Sequence, residues 1–153
     1  MKLSSVILAT LLCLTSQSSF AALINEMQGC QGYMDFVETK LVAGAAKYPA
    51  AEVKKVRKGL SGYDQFIQSK IVSPGLLKFS GGDKAKADQL QTQVDAYRKN
   101  IVSRLQKRYP QNRLFADHAH SLNDCAKQAV PKGQSLEDLK EALHAMLRLA
   151  EIK

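Results

Sequence analysis

A chain of 153 residues has room for one hydrophobic core and little more. It carries 22 Lys and Arg against 14 Asp and Glu, a net charge of +8. That surplus bounds solubility and the sign of a binding partner, and excludes nothing about fold.

The chain opens on an export signal. Lys2 supplies the positive start, Val6 to Leu14 a short apolar run, and Ser19-Phe20-Ala21 a small-x-small cleavage site, so the cut is expected after Ala21. The apolar run is too short to remain as a spanning helix. Cys13 lies inside it and Cys30 far beyond it, which argues against a lipoprotein. The expectation is a leader over residues 1–21 and one domain over residues 22–153. The mature protein should be periplasmic or secreted and keep no transmembrane segment. Losing Lys2 leaves 21 basic residues against 14 acidic ones, a net +7. Outside the cytoplasm nucleic acid is not an expected partner. Lipid headgroups, wall polymers or an acidic protein are, unless the basic residues are simply a solvated surface. Two cysteines remain, Cys30 and Cys125, and an oxidising compartment allows them one intramolecular bond.

After the leader the apolar spacing is helical throughout. Leu23, Met27, Cys30, Met34, Val37, Leu41 and Tyr48 form the first stripe, which Pro49 ends. Val53, Val56, Leu60, Tyr63, Ile67 and Ile71 form the second. Ser73-Pro74-Gly75 predicts a break, followed by a loop reaching Gly81-Gly82 and an N-cap at Asp83. Ala87, Leu90, Val94, Tyr97, Ile101 and Leu105 mark a third helix ending near Tyr109-Pro110. Leu114, Phe115, Ala119, Leu122, Cys125 and Ala126 mark a fourth. After Pro131-Lys132-Gly133, Ser135 is the expected cap of a fifth, with Asp138 completing a weak capping box and Leu136, Leu139, Leu143, Met146 and Ala150 as its stripe. Period-two alternation is nowhere sustained. The expected fold is all-α: a compact bundle of about five helices, antiparallel along the chain, pinned by one disulfide.

One phrase occurs twice. GCQGYMDFVETKLV begins at Gly29 and GLSGYDQFIQSKIV at Gly59. On a helix, Gly29, Gly32, Tyr33, Phe36 and Lys40 share an arc of about 100°, beside the aliphatic stripe rather than on it. Gly59, Gly62, Tyr63, Phe66 and Lys70 do the same. A helical glycine costs roughly 1 kcal/mol relative to alanine, so four of them imply close approach by a neighbour. That neighbour is either another helix, with Gly32 and Gly62 as tight contacts, or a ligand held between glycines and tyrosines.

Candidate chemistry is sparse. Asp117, His120 and Asp124 share one helical face and could bind a divalent ion weakly, or form a solvated polar face. His118 borders the apolar side near Cys125, as a half-buried structural histidine would. Met27 and His144 resemble the axial pair of four-helix b-type cytochromes, which would make a haem or metal carrier the alternative reading. Covalent haem attachment has no C-x-x-C-H to use, and no hydrolase elbow, metalloprotease motif or phosphate loop is present. Neither catalytic nor metal-ligating residues are therefore assigned. Lys54, Lys55, Arg57 and Lys58 cluster on the second helix, and Arg104, Lys107 and Arg108 near the end of the third. Together they are a candidate basic patch.

The segments CQGYMDFV and VPKGQSLEDLKEAL resemble parts of helical periplasmic immunity proteins that neutralise cell-wall amidases of type VI secretion. In that family the second cysteine stands almost on the proline motif. Here Cys125 precedes Pro131 by several residues. The resemblance implies a role in binding a protein partner, of inhibitor or immunity type. The sequence as a whole is read as a non-enzymatic exported binding protein.

Overall fold

The computed structural model describes the backbone of residues 15–153 and the side chains from residue 21 onward. Most of the leader expected over residues 1–21 lies outside these. The described chain is helical and contains no strand: α1 (Thr15–Ala43), α2 (Ala50–Ile67), α3 (Ser73–Phe79), α4 (Lys84–Arg108), α5 (Ala116–Gln128) and α6 (Gln134–Ala150). A π-helical turn, Gln68–Val72, joins α2 to α3 without a break. The six α segments therefore make five packed rods.

That turn corrects the loop expected from Ser73-Pro74-Gly75. A proline within a regular α-helix loses one backbone bond and presses its ring on the carbonyl four residues back. Here the Ser73 N–H reaches back five residues to the Gln68 carbonyl. The widened turn passes the chain into α3 with Pro74 in its first turn, where a missing N–H is tolerated. The true break is Ser80 to Asp83, with Gly81 and Gly82 both at positive φ. Asp83 caps α4 as expected, its carboxylate accepting from the Lys86 N–H at 3.1 Å. Ser135 does not cap α6. Gly133, at φ 60°, holds the N-cap position, and Asp138 instead accepts from Lys58 and Gln134 side chains.

The stripes converge on one core containing Met27, Val37, Leu41, Val56, Ile67, Leu122, Leu139, Met146 and Leu149, all fully buried. α6 lies along α2, with Arg148 bonded to Glu52 at one end and Lys58 to Asp138 at the other, so the two run antiparallel. α1 is antiparallel to α2, since Glu38 meets Arg57 while Gln31 meets Asp64. Against α4 it runs parallel, because Gly32 touches Ile101 and Lys40 reaches Tyr109. Cys30 and Cys125 are bonded, their Cα atoms 5.8 Å apart, and join α1 to α5 across 95 residues of sequence.

The repeated phrase is used differently in its two copies. A Cβ on Gly32 would meet Ile101 Cβ at 2.8 Å, and one on Gly59 would meet Ala142 Cβ at 2.5 Å and press on the Asp138 carbonyl. Gly29 and Gly62 have nothing within 4 Å of that position. Close packing therefore holds at Gly32, as the repeat implied, but not at Gly62; in the second copy it moves to Gly59. Tyr33 reaches His118 in α5, while Tyr63 donates to the Ala129 carbonyl just beyond α5, at 3.1 Å. The two tyrosines thus tether opposite ends of one helix.

Candidate functional site

Three places on the molecule bring chemically expressive residues together. The first is buried. His118 is fully enclosed, with its Nδ1 hydrogen-bonded to the Tyr33 hydroxyl at 3.0 Å. Phe36, Tyr109 and Phe115 stand nearly perpendicular to the imidazole, with ring centroids 4.7–5.6 Å away. Nε2 has no hydrogen-bond partner. Beside this box Lys40, only 4% exposed, donates to the carbonyls of Tyr109 and Gln111 at 2.6 and 2.9 Å and lies over the Phe36 ring. Its ammonium thereby closes the link between α4 and α5 onto α1.

Burial decides protonation here. Desolvation, with Lys40 nearby, holds the His118 pKa down to about 4, and desolvation raises that of Tyr33, so both are neutral at pH 7. Because the folded protein resists protonation that the unfolded chain accepts near pH 6.5, this contribution is complete above about pH 6.5. It drains away as pH falls towards 4, by about 3 kcal/mol in total. Urea unfolding at pH 7 and pH 4.5 should show that loss in the wild type and much less of it in His118→Gln. Equal losses in both would show that the acid sensitivity lies elsewhere.

The second place lies above the first, where Tyr33, Arg108, Asp117, His120, Ser121 and Asp124 line a polar depression of about 290 Å³. The three candidate metal ligands thus share one pocket wall. Among the described residues, however, no group of three His, Cys, Asp or Glu side chains is placed to hold a metal ion. Met27 is fully buried while His144 is exposed, so the two do not share a haem-sized space.

The third place is an apolar groove of about 340 Å³ at the other end of α4. Ile24, Leu76, Phe79, Leu90, Val94 and Tyr97 form most of its walls, with Ala21 of α1 on its lip. Phe79 is 68% exposed, Leu77 42% and Tyr97 40%. Tyr97 was expected on a core stripe. It faces the groove instead, because the close backbone packing of α4 is against α1 and α3 and leaves one flank uncovered.

The remaining sequence candidates divide sharply. Of the repeat residues, Phe36 and Tyr63 are fully buried, Tyr33 and Phe66 half-buried, Gly32 and Gly59 covered, and Gly29 and Gly62 partly open. The two copies do not form a shared concave face. Of the basic residues on α2, Lys55 pairs with Glu52 and Glu141, Arg57 with Glu38, and Lys58 with Asp138; Lys54 has no ion pair. Arg104, Lys107 and Arg108 on α4 are exposed and none is in an ion pair among the described residues. α2 and α4 do not pack on each other, so the seven cations are two separate clusters.

Sequence reasoning missed Leu76, Leu77 and Phe79, because Pro74 hid the helix that carries them. Their spacing directly after a proline-initiated turn was the available signal. It also placed His118 as half-buried, whereas it is wholly enclosed. The chain matches no protein-family profile, curated protein or solved structure.

Proposed function

We propose that this is an exported, non-enzymatic protein that acts by binding a protein partner, with the α1–α3–α4 groove as its contact surface. The observation that carries this reading is the pair of exposed apolar side chains, Phe79 and Tyr97, set in the wall of one apolar groove with Leu76, Leu90 and Val94. Isolated apolar residues on a surface are ordinary, whereas a contiguous set lining a concavity is what binding surfaces present. Export is supported by the leader and by the Cys30–Cys125 bond, which persists in an oxidising compartment such as the periplasm. No helix among the described residues is long and apolar enough to cross a membrane. A non-catalytic role is supported by the enclosure of His118, which is shut off from solvent with its Nδ1 taken up by Tyr33. An inhibitor or immunity role is one form of this function.

The test is made in cells. Mature protein starting at Ala22 should be recovered from the periplasm. A photo-crosslinking amino acid placed at position 79 or 97 should yield a discrete adduct with another protein, and the same group at position 54 should not. Retention of Met1 on cytoplasmic protein, or adducts at none of these positions, would overturn the reading.

A further inference from the structure

We infer that the uncovered flank of α4 is a docking surface for an acidic amphipathic segment of a protein partner, with apolar anchors seated in the groove and carboxylates on the cations further along. The inference rests on the protein-binding reading and adds the chemistry of the partner.

Helical geometry puts the two halves of this surface in line. At 100° per residue, Leu90, Tyr97, Arg104, Lys107 and Arg108 fall within an arc of about 100° on α4, and the span from Leu90 to Arg108 is about 27 Å. The upstream half is the wall of the apolar groove, with Phe79 of α3 opposite it. The downstream half is a basic cluster with no ion pair among the described residues. On α2, three of four cations are engaged by Glu38, Glu52, Asp138 and Glu141. On α4, Arg104 and Lys107 have no acidic neighbour within ion-pair distance, and Arg108 rests on the Tyr109 ring at the edge of the polar depression that also holds Asp117 and Asp124. The groove walls themselves contain no acidic residue. Cleavage after Ala21 would remove that lip residue and leave the positive amino group of Ala22 at the new start of α1. A basic partner would be repelled by Arg104 and Lys107 along this flank. An uncharged apolar partner would leave Arg104 and Lys107 to be desolvated without a counter-charge.

The probe is a synthetic helical peptide with leucine and phenylalanine along one face and glutamate on the rest, titrated against the mature chain by fluorescence anisotropy at low salt and at about 0.3 M NaCl. Binding is expected, and should weaken at the higher salt. Phe79→Ser should weaken it about tenfold, as should the pair Arg104→Glu and Lys107→Glu. The pair Lys54→Glu and Lys132→Glu removes the same net charge elsewhere and should change affinity less than twofold, and circular dichroism should show all variants folded. Equal loss in both charge-reversed pairs overturns the inference, since net charge alone would then explain binding. So does binding of phosphatidylglycerol vesicles through Phe79 and Arg104 with no binding of the peptide, which would make the surface lipid-directed. A dimer of the chain abolished by Phe79→Ser also overturns it. If the peptide fails while position 79 still crosslinks to a protein in cells, only the acidic partner is wrong; if both fail, the protein-binding reading falls with it.

Discussion

Replacing Cys30 and Cys125 together with alanine is expected to lower the melting temperature by roughly 10–20 °C. The bond closes a loop across a sequence separation of 95 residues, and chain-entropy reasoning gives such a closure about 4 to 5 kcal/mol. For a mature chain of this size that is a large share of the net stability, which is typically about 5 to 15 kcal/mol. Structure adds a reason for the effect to be felt. α5 is short, its backbone packs on α6 and α1, and beside the bond Tyr33 and Phe36 of α1 hold it through His118. Without the crosslink, that aromatic box and the buried Ala119 and Leu122 would still hold α5, but with no covalent tie to α1. Thermal unfolding of wild type and double variant, each with and without a strong reductant, makes the check. Reductant should bring the wild type down to the variant and leave the variant unmoved. A wild-type melting temperature that reductant shifts by less than about 2 °C would mean the bond contributes little. The same experiment bears on export, because protein made in a reducing compartment should carry the variant's lower stability.

Spacing was enough for the helical class and most of the core, and the cysteine count after an export signal was enough for the disulfide. Met27, Met34, Val37 and Leu41 lie where their period put them, because an amphipathic helix has only one way to bury a continuous stripe. α4 shows the limit of that argument. Its stripe is as regular as the others, yet Tyr97 is exposed, because periodicity records an apolar face without recording whether a neighbour covers it. Pro74 misled for a different reason. Proline was read as a break, and the chain absorbed it by widening one turn, with the widened turn and α3 packed on α1 and α3 also on α4.

The candidate site was harder to read because its halves come from distant segments. Arg104 and Lys107 were visible as cations, but so were Lys55, Arg57 and Lys58. What separates them is the position of acids on α1 and α6, which one-dimensional spacing does not contain. Lys40 is the plainest case. It occupies the same place in the repeated phrase as Lys70, yet Lys40 is buried on two carbonyls and Lys70 is exposed. The same motif position met different neighbours.

The glycines turn that contrast into a measurement of opposite signs. Gly59→Ala should destabilise the protein by about 3 kcal/mol, whereas Gly62→Ala should stabilise it by up to about 1 kcal/mol. At Gly59 the new methyl would press on the Asp138 carbonyl and lie 2.5 Å from Ala142 Cβ. Both belong to α6, whose pairing with α2 is the most extensive helix contact in the fold. A backbone carbonyl cannot rotate aside as a side chain can, so relief requires α6 to move away. That would loosen Leu139, Ala142 and Met146 in the core and stretch the Lys58–Asp138 bond. At Gly62, three residues along the same helix, the methyl meets open space, and only the gain in helix propensity remains. Urea unfolding of the two variants beside wild type reads both signs at once. Destabilisation at Gly62 comparable to that at Gly59 would mean that the helix tolerates a side chain at neither glycine and that the difference between the two copies is not real. Stabilisation at both would mean that α6 does not sit against Gly59. Opposite signs would establish that one phrase, written twice, packs α1 on α4 through its second glycine and α2 on α6 through its first.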